Sequence, residues 1–165
     1  SAMTDADCAN PLNVADEGWM ELAEIRLSSE EGHDRLAMDL VAETVRDLLP
    51  ADRLEQLKTA VAEGALNAIE HGNRDRPEWS IFVRVYAGPH SVVVRIIDYG
   101  KSGPIIRPPA PNIDAKLTGE QPPRGWGLFL MEEMVDELHV TNGENYHCLE
   151  LVMHREGERD EQQGA

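Results

Sequence analysis

The chain has 165 residues, a length that suits one folded domain with its own hydrophobic core. Acidic residues outnumber lysine and arginine by 31 to 15, and the net charge of -16 argues against direct binding to nucleic acid or to an anionic membrane. The two cysteines, Cys8 and Cys148, lie far apart and lack metal-ligand spacing, which predicts neither a disulfide framework nor a zinc site. Together with the lack of any apolar run long enough to span a bilayer, this composition favours the reducing cytoplasm.

One domain is predicted between two polar ends. Residues 1–18 are polar and aperiodic, and we expect a flexible segment whose first two residues are a tag remnant. Residues 155–165 are almost wholly charged or polar and are expected to form a polar C-terminal tail. The folded domain is therefore predicted to span residues 19–154.

The first predicted elements are a strand and a helix. Ala23, Ile25 and Leu27 alternate with charged residues, which is the period of a half-buried strand. Apolar residues then recur at helical spacing until Pro50, which should end the helix. The predicted apolar face of this helix consists of Ala37, Leu40, Val41, Thr44 and Leu48.

A second predicted helix begins near Asp52 and Glu55, which resemble a capping box, and ends at Gly72 as its C-terminal cap. Its apolar stripe consists of Leu54, Leu57, Val61, Ala65 and Ala68.

Three polar residues of the second helix, Glu63, Asn67 and Glu70, share the face opposite this stripe because their spacings are four and three. Phosphoryl transfer needs a carboxylate that can accept a proton and an amide oxygen that can bind Mg²⁺. A solvated helix face explains the same spacing equally well. His71, at the end of the helix, is a candidate phosphate contact or a partner of the helix dipole.

A predicted β-hairpin with a Gly88-Pro89 turn follows, and its second strand ends in Asp98. Asp98 continues the apolar face of this strand, so a carboxylate lies on the side that should pack against the helices. The amino group of adenine would satisfy such a buried carboxylate, and Gly100 and Gly103 would let a flat base approach the backbone. The alternative is a turn-forming aspartate at a strand end.

A proline-rich loop, residues 99–124, is predicted to be a lid. The Arg124-Gly125-Trp126-Gly127-Leu128 segment is then predicted to begin a third helix, whose free backbone amides could bind a polyphosphate. The same residues are equally compatible with a simple connection between loop and helix. A final hairpin turns at Asn142-Gly143. This order predicts an α+β fold, a two-layer sandwich with helices on one face of a mixed, mainly antiparallel sheet.

Three segments, residues 63–72, 98–100 and 124–131, resemble in sequence and in order the nucleotide-binding boxes of the GHKL ATPase superfamily. The Glu-x3-Asn and Arg-Gly-x-Gly-Leu patterns are most similar to those of the anti-sigma-factor serine kinases. The resemblance covers residues 20–154 and implies the Bergerat ATP-binding fold.

The resemblance also implies roles for individual residues. Asn67 would bind Mg²⁺, Asp98 would recognise adenine, and Glu63 would be the general base for a serine hydroxyl. Arg124 would steady the γ-phosphate. The implied ATP-binding residues are Asn67, His71, Asp98, Gly100, Gly103, Arg124, Gly125, Trp126, Gly127 and Leu128.

The function implied is that of an anti-sigma regulatory factor that uses ATP and Mg²⁺ to phosphorylate a serine of a small anti-sigma-factor antagonist. Such a protein would also bind a sigma factor, here through a basic surface of the partner, and would form a homodimer. Two alternatives stay open. The chain could be a nucleotide-binding interaction module without kinase activity, or the isolated kinase-like domain of a larger signalling protein.

Overall fold

The computed structural model describes residues 18–100 and 123–155, the first four of the second range by their backbone alone. Its elements are β1 (Met20–Ser28), α1 (His33–Val45), α2 (Ala51–Asn67), a π-helical turn (Ala68–Gly72), β2 (Ser80–Ala87), β3 (Ser91–Asp98), α3 (Pro123–Met134), β4 (Glu137–Asn142) and β5 (His147–His154). The predicted order of elements is confirmed. The predicted lid and both predicted tails fall largely or wholly outside the described residues and stay predictions.

The strands form one five-stranded sheet in the order β1-β2-β3-β5-β4. Every pair among these described strands is antiparallel, so the mixed sheet that we expected contains no parallel pair here. The α+β sandwich is confirmed, and β1 lies at one edge of the sheet.

The helices pack on one face of this sheet, where α2 contacts β3 and β5. A Cβ atom at Gly64 of α2 would lie 2.6 Å from Ile96 Cδ1 and 3.3 Å from Met131 Sδ. The absence of a side chain therefore lets α2 lie close to both β3 and α3. This close packing fixes where the polar residues that flank Gly64 are presented.

Two details of the predicted helices are wrong. In α1 the third buried position is Val45 rather than Thr44, and Leu40 is 38% exposed, because the buried stripe of Ala37, Val41 and Val45 is narrower than the apolar pattern. The start of α2 follows Pro50, which is extended, and no side chain caps it. The predicted capping box is therefore absent.

The end of α2 also differs from the prediction. Gly72 closes the π-helical turn, and the left-handed backbone that a C-terminal cap would need occurs later, at Arg74 (φ 53°) and Asp75 (φ 57°). Asn73 is fully buried and its Nδ2 donates to Ser29 Oγ (2.8 Å) and to the Ser80 carbonyl (3.1 Å). These bonds tie the turn after α2 to β1 and β2.

The other face of the sheet holds buried polar groups. Arg95 and Glu150 lie opposite each other in β3 and β5, and Arg95 Nε donates to Glu150 Oε2 at 2.8 Å. Cys148, on the same strand as Glu150, is also buried, whereas Cys8 lies outside the described residues.

Candidate functional site

Glu63 and Asn67 of α2 lie against the first turns of α3. A Cβ atom at Gly127 would lie 3.4 Å from Glu63 Oε2 and 3.4 Å from Asn67 Nδ2. Both side chains are half-buried, whereas Glu70, the third member of the predicted polar face, is exposed. The solvated-face interpretation therefore holds for Glu70, but Glu63 and Asn67 face the backbone of α3. The structure thus brings together the first and third of the predicted nucleotide-binding segments.

The environment of Glu63 raises the pKa of its carboxyl group. Desolvation by burial is the largest cause, and the negative charges of Asp34 and Glu70 add to it. A carboxylate with a raised pKa binds a proton more readily than an ordinary one at the same pH. Because general-base catalysis is most effective when the pKa of the base is near the working pH, this shift suits Glu63 to accept a hydroxyl proton.

Asp98 ends β3 on the helix-facing side of the sheet and is 3% exposed. Its Oδ1 accepts a hydrogen bond from the backbone N–H of Gly100 at 3.1 Å and another from Nδ1 of His147 at 2.8 Å. The bond to Gly100 spans two residues, which is the pattern of an Asx turn. Asp98 therefore forms the turn that the simpler interpretation expected, and it is also the buried carboxylate that adenine recognition requires.

The backbone packs tightly around Asp98. A Cβ atom at Gly72 would overlap the Asp98 carboxyl group, and one at Gly100 would overlap the Gly72 carbonyl. Close approach at Gly100 was predicted for a flat base. Within the described residues, the group that approaches is instead the end of the π-helical turn.

The structure describes the remaining predicted site residues only in part. His71 lies half-buried in the π-helical turn, and its phosphate contact stays a prediction. The backbone of Arg124, Gly125 and Trp126 belongs to the first turn of α3, while Gly103 falls outside the described residues. Leu128 is 2% exposed in the hydrophobic core, so its predicted nucleotide contact can involve only its backbone.

Sequence reasoning missed His147. It starts β5 directly opposite Asp98 and lies on the same face of the sheet as Leu149 and Leu151. The alternation His147-x-Leu149-x-Leu151 was visible and places an imidazole at the end of an apolar strand face, as Asp98 places a carboxylate. The register between β3 and β5, which brings the two side chains together, could not be predicted from the sequence.

These residues fit a bound Mg·ATP. The buried Asp98 can accept a hydrogen from the adenine amino group, and the backbone of α3 lies close to Asn67 and Glu63 because Gly127 has no side chain. No group of three or more acidic, histidine or cysteine side chains within the described ranges could hold a metal ion by itself.

Comparison with known proteins identifies the family. A family model described as a histidine kinase-like ATPase domain matches residues 27–153. This chain belongs to the histidine kinase-like ATPase family. An anti-sigma F factor of Anoxybacillus flavithermus (strain DSM 21510 / WK1) is 31% identical over 133 residues, which cover 79% of this ATPase-family chain and 90% of the relative. The expected place among the anti-sigma-factor kinases is therefore confirmed.

Two further matches agree with this family. Serine-protein kinase RsbW of Bacillus subtilis (strain 168) is 30% identical over 101 residues, covering 55% of this histidine kinase-like ATPase and 59% of RsbW. The crystal structure of the RsbU and RsbW domains of a Mycobacterium tuberculosis protein matches with a TM-score of 0.57 and 20% identity, over 81% of this chain and 32% of that one. At this identity the structural match supports the fold alone. None of the helices in the described parts of the chain is long and apolar enough to cross a membrane.

Proposed function

We propose that this chain is an ATP-binding anti-sigma regulatory factor and a protein serine kinase that acts on a small anti-sigma-factor antagonist. The observation that carries the proposal is that Glu63 and Asn67 face the backbone of α3 at Gly127, where an added Cβ atom would lie 3.4 Å from each side chain. This arrangement joins a general base and a Mg²⁺ ligand to the helix start predicted to hold phosphates. The named relatives, an anti-sigma F factor and a serine-protein kinase, support the same function.

Each site residue has one task in the proposed reaction. Mg·ATP supplies the γ-phosphoryl group and the metal charge that offsets the negative charge of the phosphates. Asp98 accepts a hydrogen bond from the base, and the amide oxygen of Asn67 holds the metal. Glu63 accepts the proton of the attacking serine hydroxyl, and backbone amides of the first turn of α3 bind the phosphates.

The electrostatics of the adjoining surface favour a basic partner. A cavity of about 630 Å³ lies beside α1 and the π-helical turn, lined by Ser29, Glu30, Glu31, Gly32, Asp34, Leu66, Ile69, Glu70, Asp75 and Pro77. Five of these residues are acidic, so the cavity would repel the phosphates of a nucleotide. It is better suited to a positively charged surface of the sigma factor or the antagonist.

The proposed assembly is a homodimer in the cytoplasm, where a sigma factor acts. β1 is an edge strand, and Met20 on it is 66% exposed. An edge strand offers unpaired backbone groups to a second copy, and pairing of two such edges gives a symmetric dimer.

Partner and activity can be tested in one experiment. The chain is used to capture proteins from the source cells in the presence of Mg·ATP and, separately, of Mg·ADP, and phosphorylated serines are then mapped on any small captured protein. We expect a sigma factor and a small antagonist that carries a new phosphoserine only when ATP and unaltered Glu63 are present. Capture without any phosphoserine would favour the nucleotide-binding module that lacks kinase activity.

A further inference from the structure

Asp98 and His147 form a buried pair at the end of the sheet. They are directly opposite each other in β3 and β5, and their side chains are only 4% and 6% exposed. Nδ1 of His147 lies 2.8 Å from Asp98 Oδ1. Because an ionised carboxylate can only accept hydrogen bonds, Nδ1 of His147 carries the hydrogen and donates it.

Within the described residues, two protein groups donate to this carboxylate, and both are directed at Oδ1. One is Nδ1 of His147, and the other is the backbone N–H of Gly100 at 3.1 Å. The backbone of Gly72 packs against the same carboxyl group and limits its rotation. Oδ2 therefore receives no hydrogen bond from the described residues and, as a carboxylate oxygen, can accept one from a ligand.

We propose that His147 is a positioning residue that holds the Asp98 carboxylate in this orientation and thereby sets the preference of the site for adenine. The inference rests on the proposed binding of ATP. Adenine presents an amino group at position 6, which donates to Oδ2, whereas hypoxanthine presents a carbonyl oxygen there, which Oδ2 repels. A carboxylate free to rotate or to take up a proton discriminates less between the two bases.

A purely structural role for the pair makes a different prediction. If His147 only stabilised the end of the sheet, its loss would weaken the binding of all nucleotides in proportion. The ratio of affinities for ADP and inosine diphosphate separates the two roles, because the sugar and phosphates are identical and only the group at position 6 differs.

The test compares His147→Leu with His147→Asn. Asparagine places an amide N–H near the position of Nδ1, whereas leucine has a similar volume and no donor. Titration calorimetry measures the affinity for Mg·ADP and for Mg·IDP. We expect His147→Leu to reduce the ADP-to-IDP affinity ratio by about tenfold, the lower end for a hydrogen bond to a charged group. His147→Asn should keep the ratio within about threefold of the unaltered protein.

The control is His139→Leu, the same change at a half-exposed histidine of β4 that lies outside the site. It should leave the ratio unchanged. A folded His147→Leu protein that keeps the full ADP preference would overturn the inference, and so would an asparagine variant as impaired as the leucine one. If the unaltered protein binds neither nucleotide, the proposed function itself is wrong and this inference falls with it.

The unaltered protein provides a second test that does not depend on how the variants fold. Long-range ¹H–¹⁵N spectra of the histidine rings should show hydrogen on Nδ1 of His147. That nitrogen resonance should shift when Mg·ADP binds and shift less with Mg·IDP. A bare Nδ1, or equal shifts with the two nucleotides, would contradict the proposal.

Discussion

The surroundings of the Glu63 side chain affect both its ability to accept a proton and the stability of the folded protein. Its pKa is raised above the ordinary value of 4.5 by burial and then by Asp34 and Glu70. The folded protein therefore binds the Glu63 proton more tightly than the unfolded chain does. Stability is lost as the pH rises from 4.5 through the raised pKa, since ionised Glu63 is disfavoured only in the fold.

Glu63→Gln should consequently increase the free energy of unfolding at neutral pH, and this gain should shrink below pH 4.5, where Glu63 is protonated in both states. Urea titrations at several pH values measure the difference. Glu55→Gln is the matched control on the same helix, where the exposed carboxylate pairs only with Lys58. A Glu63→Gln protein that is less stable than the unaltered chain at neutral pH would contradict the account.

Asp98 should determine nucleotide affinity, because it makes the proposed charged contact with the base. Asp98→Ala should reduce the affinity for a non-hydrolysable ATP analogue by about 1.5–3 kcal/mol, the range for a hydrogen bond to a charged group. Titration calorimetry provides the number, and Asp39→Ala on the exposed face of α1 provides the control. Unchanged affinity would mean that Asp98 only stabilises the turn at the end of β3 and does not contact the base.

At the scale of elements, the close approach of the π-helical turn to the end of β3 should be sensitive to a single methyl group. A Cβ atom at Gly72 would overlap the Asp98 carboxyl group, whereas one at Gly127 would sit at ordinary contact distance, 3.4 Å. Gly72→Ala should lower the free energy of unfolding by ~1–3 kcal/mol and weaken nucleotide binding, because the carboxylate must move. Gly127→Ala, a control for stability and not for nucleotide binding, should change the free energy of unfolding by no more than ~1 kcal/mol. Equal stabilities in urea titrations would show that the turn adapts freely.

The helices and strands could be predicted from the sequence because each one depends on a pattern of neighbouring residues. Alternation identified the opening strand and the first hairpin, and the Asn142-Gly143 turn signal identified the last hairpin. Apolar spacing identified the first two helices, and the glycine-rich segment at residues 124–128 marked the start of the third. The buried face of α1 was predicted less accurately than its place in the chain. Val45 is buried rather than Thr44 because the packing of the helix on the sheet decides which side is covered. No pattern in the sequence indicated the π-helical turn.

The site was predictable where one element or one motif carried it. Glu63 and Asn67 share a helix face, and the glycines of α3 gave a recognisable motif. The Asp98–His147 pair was not predictable, because it depends on the register between β3 and β5, which are separated in the chain by the proline-rich segment, α3 and β4.

For the molecule as a whole, the exposed edge of β1 predicts a symmetric dimer. The unaltered chain should give twice the mass of 18.4 kDa in light scattering at tens of micromolar protein. A monomer at these concentrations would contradict the proposed assembly.

The whole molecule is proposed to act as a kinase in which nucleotide binding and phosphoryl transfer rest on different residues. The most direct test is the rate at which labelled phosphate moves from saturating Mg·ATP to the serine of the captured antagonist, measured for the unaltered chain and for Glu63→Gln. Glutamine keeps the size of the side chain but cannot accept the hydroxyl proton, so transfer should fall by ~10²–10⁴, the span of general-base catalysis. Transfer at the unaltered rate would contradict the assignment of Glu63 as the base and with it the proposed mechanism.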